Sequence, residues 1–139
     1  MNILFFLTPK SEVEFVYNDD TLQHAIDMLE KSTYSALPII NHKGEYKGTI
    51  SEGDVLWTLK NGTEYCIEEW YETKLSKINH KQNNKPVKAN AQVKDLIYRA
   101  VNQNFVPVID DDDVFIGIVK RRDVLQYYFD QAQETKTKN

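Results

Sequence analysis

Residues 36–56 read ALPIINHKGEYKGTISEGDVL, and a shift of 69 positions lays this stretch on residues 105–125, FVPVIDDDDVFIGIVKRRDVL. Six of the 21 aligned positions are identical (Pro38/Pro107, Ile40/Ile109, Gly48/Gly117, Asp54/Asp123, Val55/Val124 and Leu56/Leu125), and five others exchange one apolar residue for another. Proline, glycine and aspartate at fixed offsets inside matching apolar runs indicate an internal repeat. In each copy a short apolar run, Leu37–Ile40 or Val106–Ile109, leads through turn residues into a second run, which predicts strand, turn and strand. The turns are Asn41-His42-Lys43-Gly44 and Asp110 to Asp113. A helix is expected near each following aspartate: Glu52–Lys60, stopped by Asn61-Gly62, and Arg121 to about Gln131.

Working outward, each copy is preceded by apolar residues at the three-and-four spacing of one helical face. In the first copy these are Leu22, Ala25, Ile26 and Leu29, with Asp20 and Gln23 as the expected capping pair; in the second they are Val93, Leu96, Ile97, Ala100 and Val101. The order per copy is short strand, helix, strand, strand, helix. Neither copy is large enough to bury its sheet well alone, so two copies packed through their sheets are expected to make one pseudo-symmetric α/β domain. Ile67, Tyr71, Leu75 and Ile78 predict a connecting helix, and a polar loop, Asn79–Lys85, leads into the second copy. The chain thus divides into a first repeat (7–62), a connector (63–84), a second repeat (85–131) and a flexible tail (132–139) that has no apolar residue from Glu134 on.

Composition bounds the function. A chain of 139 residues has room for one core, which excludes a large multi-domain enzyme, and 41% hydrophobic residues exclude wholesale disorder. With 17 Lys and Arg against 21 Asp and Glu, the net charge of −4 counts against nucleic acid as a partner. The apolar run Ile3–Leu7 is too short to cross a bilayer and has no basic leader, so a cytoplasmic protein without a membrane partner is expected. Cys66, the single cysteine, cannot form an internal disulfide or complete a zinc site. His24, His42 and His80 stand at no metal-ligand spacing, and five scattered glycines form no phosphate loop. The reading is therefore non-catalytic, with no required cofactor. The four adjacent aspartates read as a solvated hairpin tip, since a calcium loop needs alternating oxygen ligands.

The frame YSALPIINHKGEYKGTISEGDVL (34–56) followed by NFVPVIDDDDVFIGIVKRRDVL (104–125) resembles a tandem pair of cystathionine-β-synthase (CBS) domains, a Bateman module. The resemblance runs from about Leu7 to Phe129, and FFLTPKSEVEFV (5–16) is similar to the lead-in of such pairs. It implies a regulatory module that binds adenosine-containing molecules in two inter-repeat clefts and commonly forms homodimers. In the family pattern Gly-h-h-(Ser/Thr)-x-x-Asp, with h apolar, the hydroxyl and carboxylate hold ribose. Gly48, Ser51 and Asp54 fulfil it; the second copy keeps Gly117 and Asp123 but carries Lys120 at the hydroxyl position. One cleft would combine Ser51 and Asp54 with Val87, Lys88, Phe105 and Val106. The other, basic cleft would combine Lys120, Arg121, Arg122 and Asp123 with Val16, Tyr17, Ser35 and Ala36.

These residues also have a chemistry of their own. Asp54 and Asp123 lie at expected helix starts, where capping alone would account for a carboxylate. The serine three residues before Asp54 is read as the additional, sugar-binding element. Lys120-Arg121-Arg122 is the one triple basic run of an acidic chain; cations there oppose the helix dipole, at about 0.3–1 kcal/mol each, and a bound phosphate would offset that. Val16, Ala36, Phe105 and Val106 could wall an adenine slot, with Tyr17 or Tyr34 stacking. The arginine pair, with Ser35, also resembles the CBS pairs that bind cyclic di-AMP, with AMP, ADP, ATP and S-adenosylmethionine as alternatives. The rival expectation is a ligand-free dimerisation or protein-interaction module, which Lys120 favours.

Overall fold

The computed structural model describes residues 1–61, 67–78 and 84–138. Chain contacts gather into two compact units: Glu14–Asn83, built on the first repeat, and Met1–Val13 with Asn84–Asn139, built on the second. In chain order the elements are β1 (Leu7–Pro9), β2 (Val16–Tyr17), α1 (Leu22–Lys31), β3 (Ala36–Ile40), β4 (Tyr46–Ser51), α2 (Glu52–Asn61), α3 (Ile67–Tyr71), β5 (Val87–Lys88), α4 (Val93–Asn102), β6 (Phe105–Ile109), β7 (Phe115–Lys120) and α5 (Arg121–Lys138). Each repeat follows the expected β-α-β-β-α order.

In the first unit β2 pairs parallel with β3, and β3 antiparallel with β4. The central strand β3 is buried at all five positions, as its continuous apolar run requires. Val16, Leu22, Ala25, Leu29, Leu37, Ile39 and Ile50 form the core with Trp70, Leu75 and Ile78 from the connector. Each large aliphatic so buried contributes roughly 1.5–3 kcal/mol. The cap of α1 is not the expected Asp20–Gln23 pair. Thr21 Oγ1 accepts the His24 N–H (3.2 Å), while Asp20 Oδ2 accepts the Tyr17 N–H (2.7 Å) and so braces the strand end.

The connector also departs from expectation. α3 stops at Tyr71, and Leu75–Lys77 form a separate 3-10 turn. The interruption has a cause: Thr73 O accepts the Leu22 N–H and Leu75 N–H donates to Asp20 O, so residues 73–75 pair with the entry to α1 instead of continuing a helix. Leu75 and Ile78 are nonetheless buried. Gly62, Cys66 and His80 lie outside the described residues.

In the second unit the strand order is β1-β7-β6-β5, with β5 parallel to β6 and the other pairs antiparallel. The strand β1, taken above as the opening of the first repeat, joins the sheet of the second. Gly117 permits this approach: its φ is +154°, and a Cβ there would lie 2.2 Å from the Thr8 carbonyl oxygen. The core comprises Ile3, Phe6, Val87, Leu96, Ala100, Val106, Val108, Val119 and Val124. Of the expected α4 face, Leu96 and Ala100 are buried and Val93 is partly so, but Ile97 and Val101 are exposed. The apolar stripe is wider than the sheet beneath it.

Both hairpins carry the same irregularities. Their registers shift at Ile39/Ile40 and Val108/Ile109, opposite Gly48 and Gly117. Asn41 Oδ1 accepts the N–H groups of Lys43 and Glu45, and Asp110 Oδ1 those of Asp112 and Val114. Gly44 and Asp113 then take positive φ (84° and 64°) at equivalent positions. Asp110 thus organises a hairpin tip on which Asp111, Asp112 and Asp113 are exposed. Finally, α5 continues to Lys138, past the expected end near Gln131. The segment QAQETKTK contains no Gly or Pro, and Thr135 Oγ1 donates to Gln131 O, four residues back.

Candidate functional site

At the β4–α2 junction Ser51 Oγ accepts the Asp54 N–H (3.0 Å) and Asp54 Oδ2 accepts the Ser51 N–H (3.0 Å). This is a reciprocal capping box, and the Asp54 side chain in it is buried at 3% exposure. The expectation that capping leaves the serine unexplained is therefore corrected. A hydroxyl three residues before the acid is what a capping box uses. Ser51 faces Ala36 across β3–β4, and Ser35 O accepts the Glu52 N–H (2.9 Å).

The equivalent junction of the second repeat is built differently. The Asn104 carbonyl accepts the Arg121 N–H (3.0 Å), repeating the Ser35–Glu52 bond 69 residues on. Lys120, which faces Phe105 across the ladder, carries no acceptor and cannot recreate the Ser–Asp box. Instead Arg121 Nε–H is shared between the Ala100 carbonyl (2.8 Å) and the Gln103 carbonyl (3.1 Å). The guanidinium thus sits on the carbonyl end of α4, where a cation complements the dipole. The side chain is therefore turned back onto α4 and half-buried there. Arg122 is exposed, while Lys120 and Asp123 are half-buried.

The remaining candidate residues each lie within one of the two units. Val16, Val106 and Phe105 are buried in the cores, as are Ala36 and Val87; Ser35 and Lys88 are exposed. Tyr17 is half-buried, with the edge of Phe15 against it and the His42 ring stacked on it at 4.4 Å and 12°. One tyrosine face is thereby covered by an imidazole. His42 Nε2 lies 2.8 Å from both Asp19 carboxylate oxygens, and that bond holds the Asp19 carboxyl below its ordinary value. Sequence reasoning missed this Tyr17–His42–Asp19 group, since 23 residues separate Asp19 from His42 and no motif links them. It equally missed Arg121 on α4, although a cation just after a helix and a strand was a visible signal. At the start of β4, burial pushes the Tyr46 phenol far above its ordinary value, and a hydrogen bond with Thr49 opposes the shift.

Among the described residues no group of three or more His, Cys, Asp or Glu could hold a metal ion. No helix of the described residues is long and apolar enough to cross a membrane.

Two hairpins 69 residues apart, each with a glycine at its bulge and a following helix that carries aspartate in its first turn, make the repeat of a tandem CBS pair. The CBS domain model matches residues 7–61 and 81–130, and the chain belongs to that family. Its fold is similar over 100% of this chain, and 91% of the other, to CbpB crystallised with c-di-AMP (TM-score 0.89, 23% identity). A hypothetical conserved protein of Geobacillus kaustophilus is 30% identical over 94% of this chain and 98% of its own, with a TM-score of 0.82. An uncharacterized protein of Methanocaldococcus jannaschii is 23% identical over 94% of this chain, which spans 50% of that protein's length.

Proposed function

We propose that this CBS pair is a non-catalytic, cytoplasmic regulatory protein that binds an adenosine-containing nucleotide, cyclic di-AMP ahead of AMP, ADP and ATP. Occupancy is passed on through partner binding or through assembly of a homodimer. The observation that carries the reading is the run Lys120-Arg121-Arg122 at the β7–α5 junction of a chain with net charge −4. Arginine forks and free helix amides together suit phosphate. The likeness in fold to a protein crystallised with c-di-AMP supports the choice of nucleotide.

Lys120, Arg121, Arg122 and Asp123 are assigned to the phosphate-bearing ligand, with Val16, Tyr17, Ser35 and Ala36 toward its base and sugar. Ser51 and Asp54 are assigned to ribose at a second position, with Val87, Lys88, Phe105 and Val106. Exposed Leu125 (63%) and Phe129 (59%) on α5 support self-association of an α4–α5 face. Nucleic acid and membrane are not among the proposed partners.

A second reading, a ligand-free interaction module, is favoured by the engagement of Arg121 with two α4 carbonyls. Thermal unfolding against AMP, ADP, ATP, cyclic di-AMP, cyclic di-GMP and S-adenosylmethionine separates the two. A nucleotide at about 100 times its Kd adds ~2.7 kcal/mol, a shift of roughly 9 °C for a chain of this size. A selective shift with an adenine nucleotide is expected; no shift with any of the six overturns the nucleotide reading in favour of the interaction module.

A further inference from the structure

A groove of about 280 Å³ runs between α4 and α5, lined by Ile97, Ala100, Val101, Arg121, Val124 and Leu125. Five of these side chains are aliphatic, and the sixth is the arginine that opens α5. Arg121 Nε–H already bonds the Ala100 and Gln103 carbonyls at the end of α4. A guanidinium presents five N–H donors in one plane, and its terminal Nη groups carry the fork that matches a phosphate. One side chain therefore reaches the helix end, the apolar groove and the junction assigned to the nucleotide.

We infer that Arg121 is a coupling residue: by bridging a bound phosphate to the C-terminal carbonyls of α4, it makes nucleotide occupancy fix α4 against α5 and so set the shape of the groove. The inference rests on the nucleotide reading and names how that site is regulated. An anion on the Nη fork fixes the plane and rotamer of the guanidinium with its Nε–H aimed at the carbonyls, so the ligand orders a tether already present. Linkage makes the effect reciprocal. Whatever fills the groove in the tightened state raises nucleotide affinity by the same factor as the nucleotide raises its own.

Hydrogen exchange of the full chain, with and without cyclic di-AMP, tests the coupling in the wild type, Arg121→Lys and Arg121→Met. In the wild type the nucleotide should slow exchange of the amides of residues 97–104 by at least about fivefold, the low end of measured site-to-site couplings. Arg121→Lys keeps the charge and the fold, but one ammonium cannot serve a phosphate and two carbonyls together. At saturating cyclic di-AMP it should leave α4 exchange unslowed, with binding weakened because the phosphate fork is lost; Arg121→Met, without the charge, should bind more weakly still through Lys120 and Arg122 and, if folded, likewise leave α4 unslowed at saturation. Binding to the wild type with unchanged exchange in 97–104, or undiminished slowing in Arg121→Lys, overturns the coupling and leaves the nucleotide reading standing. Absence of any binding to the wild type overturns both.

Discussion

Replacing Ser51 and Asp54 by alanine, singly and together, measures what the first helix start owes to its capping box. Ser51 Oγ holds the Asp54 N–H and Asp54 Oδ2 holds the Ser51 N–H, both at 3.0 Å. Ser51→Ala removes a helix N-cap, which costs about 1 kcal/mol, within a range of about 0.5–2. Asp54→Ala removes a charged acceptor from a buried position and strands the Ser51 N–H, so about 2 kcal/mol is expected. The two bonds share one geometry: loss of either partner loosens the other. The double variant should therefore lose less than the sum of the singles, by about 0.5–1 kcal/mol. Equilibrium urea unfolding resolves this, since 2 kcal/mol displaces the midpoint by about 1 M at a slope near 2 kcal/mol/M. Strict additivity, or a cost below about 0.3 kcal/mol for Ser51→Ala, would refute the reciprocal box. If the nucleotide-induced shift in Tm then persists at full size in both single variants, the pair serves folding alone.

Two further perturbations probe features peculiar to this chain. Gly117→Ala should cost about 2–6 kcal/mol in guanidinium unfolding, from backbone strain at φ +154° and from the Cβ clash with the Thr8 carbonyl, together with faster exchange in β1; a loss below about 1 kcal/mol would refute the close approach. The His42 bond lowers the Asp19 carboxyl below 3.8, so its stabilising effect is present at neutral pH and disappears as pH falls through the depressed value. His42→Ala should flatten the acid limb of the stability profile below about pH 4, and parallel limbs in melts from pH 2 to 5 would count against the pair.

The fold was legible because its signals are local and doubled. Strand runs, turn residues and helix faces each occur twice at one offset, and β-α-β-β-α follows from their order. What escaped was long-range or dependent on competition between partners. Leu75 and Ile78 announce burial but not the backbone pairing of residues 73–75 with the loop before α1, which breaks the predicted helix. Thr21 and Asp20 are both good caps; the choice fell to Thr21 because Asp20 serves the Tyr17 N–H. Nothing in Leu7–Pro9 names β7 as its partner. Only the glycine at 117, present in both repeats, hinted that a backbone might pass close to one of them.

The two helix starts were legible in position and ambiguous in role, for a physical reason. At a helix start residues i and i+3 lie side by side, so a Ser-x-x-Asp spacing suits a capping box and a sugar diol equally well. In the first repeat that spacing closes on itself within four residues. In the second, Lys120 removes the hydroxyl, and the helix start is secured instead by Arg121 reaching back 21 and 18 residues to the end of α4. The two junctions hold the same backbone shape with different mechanical reach. A ligand that disturbs Ser51 and Asp54 acts on the first turn of α2, whereas one that engages Arg121 acts at once on α5, on α4 and on the groove between them. Divergence of the repeats at Lys120 is thus what gives one of two similar helix starts a reach beyond its own first turn.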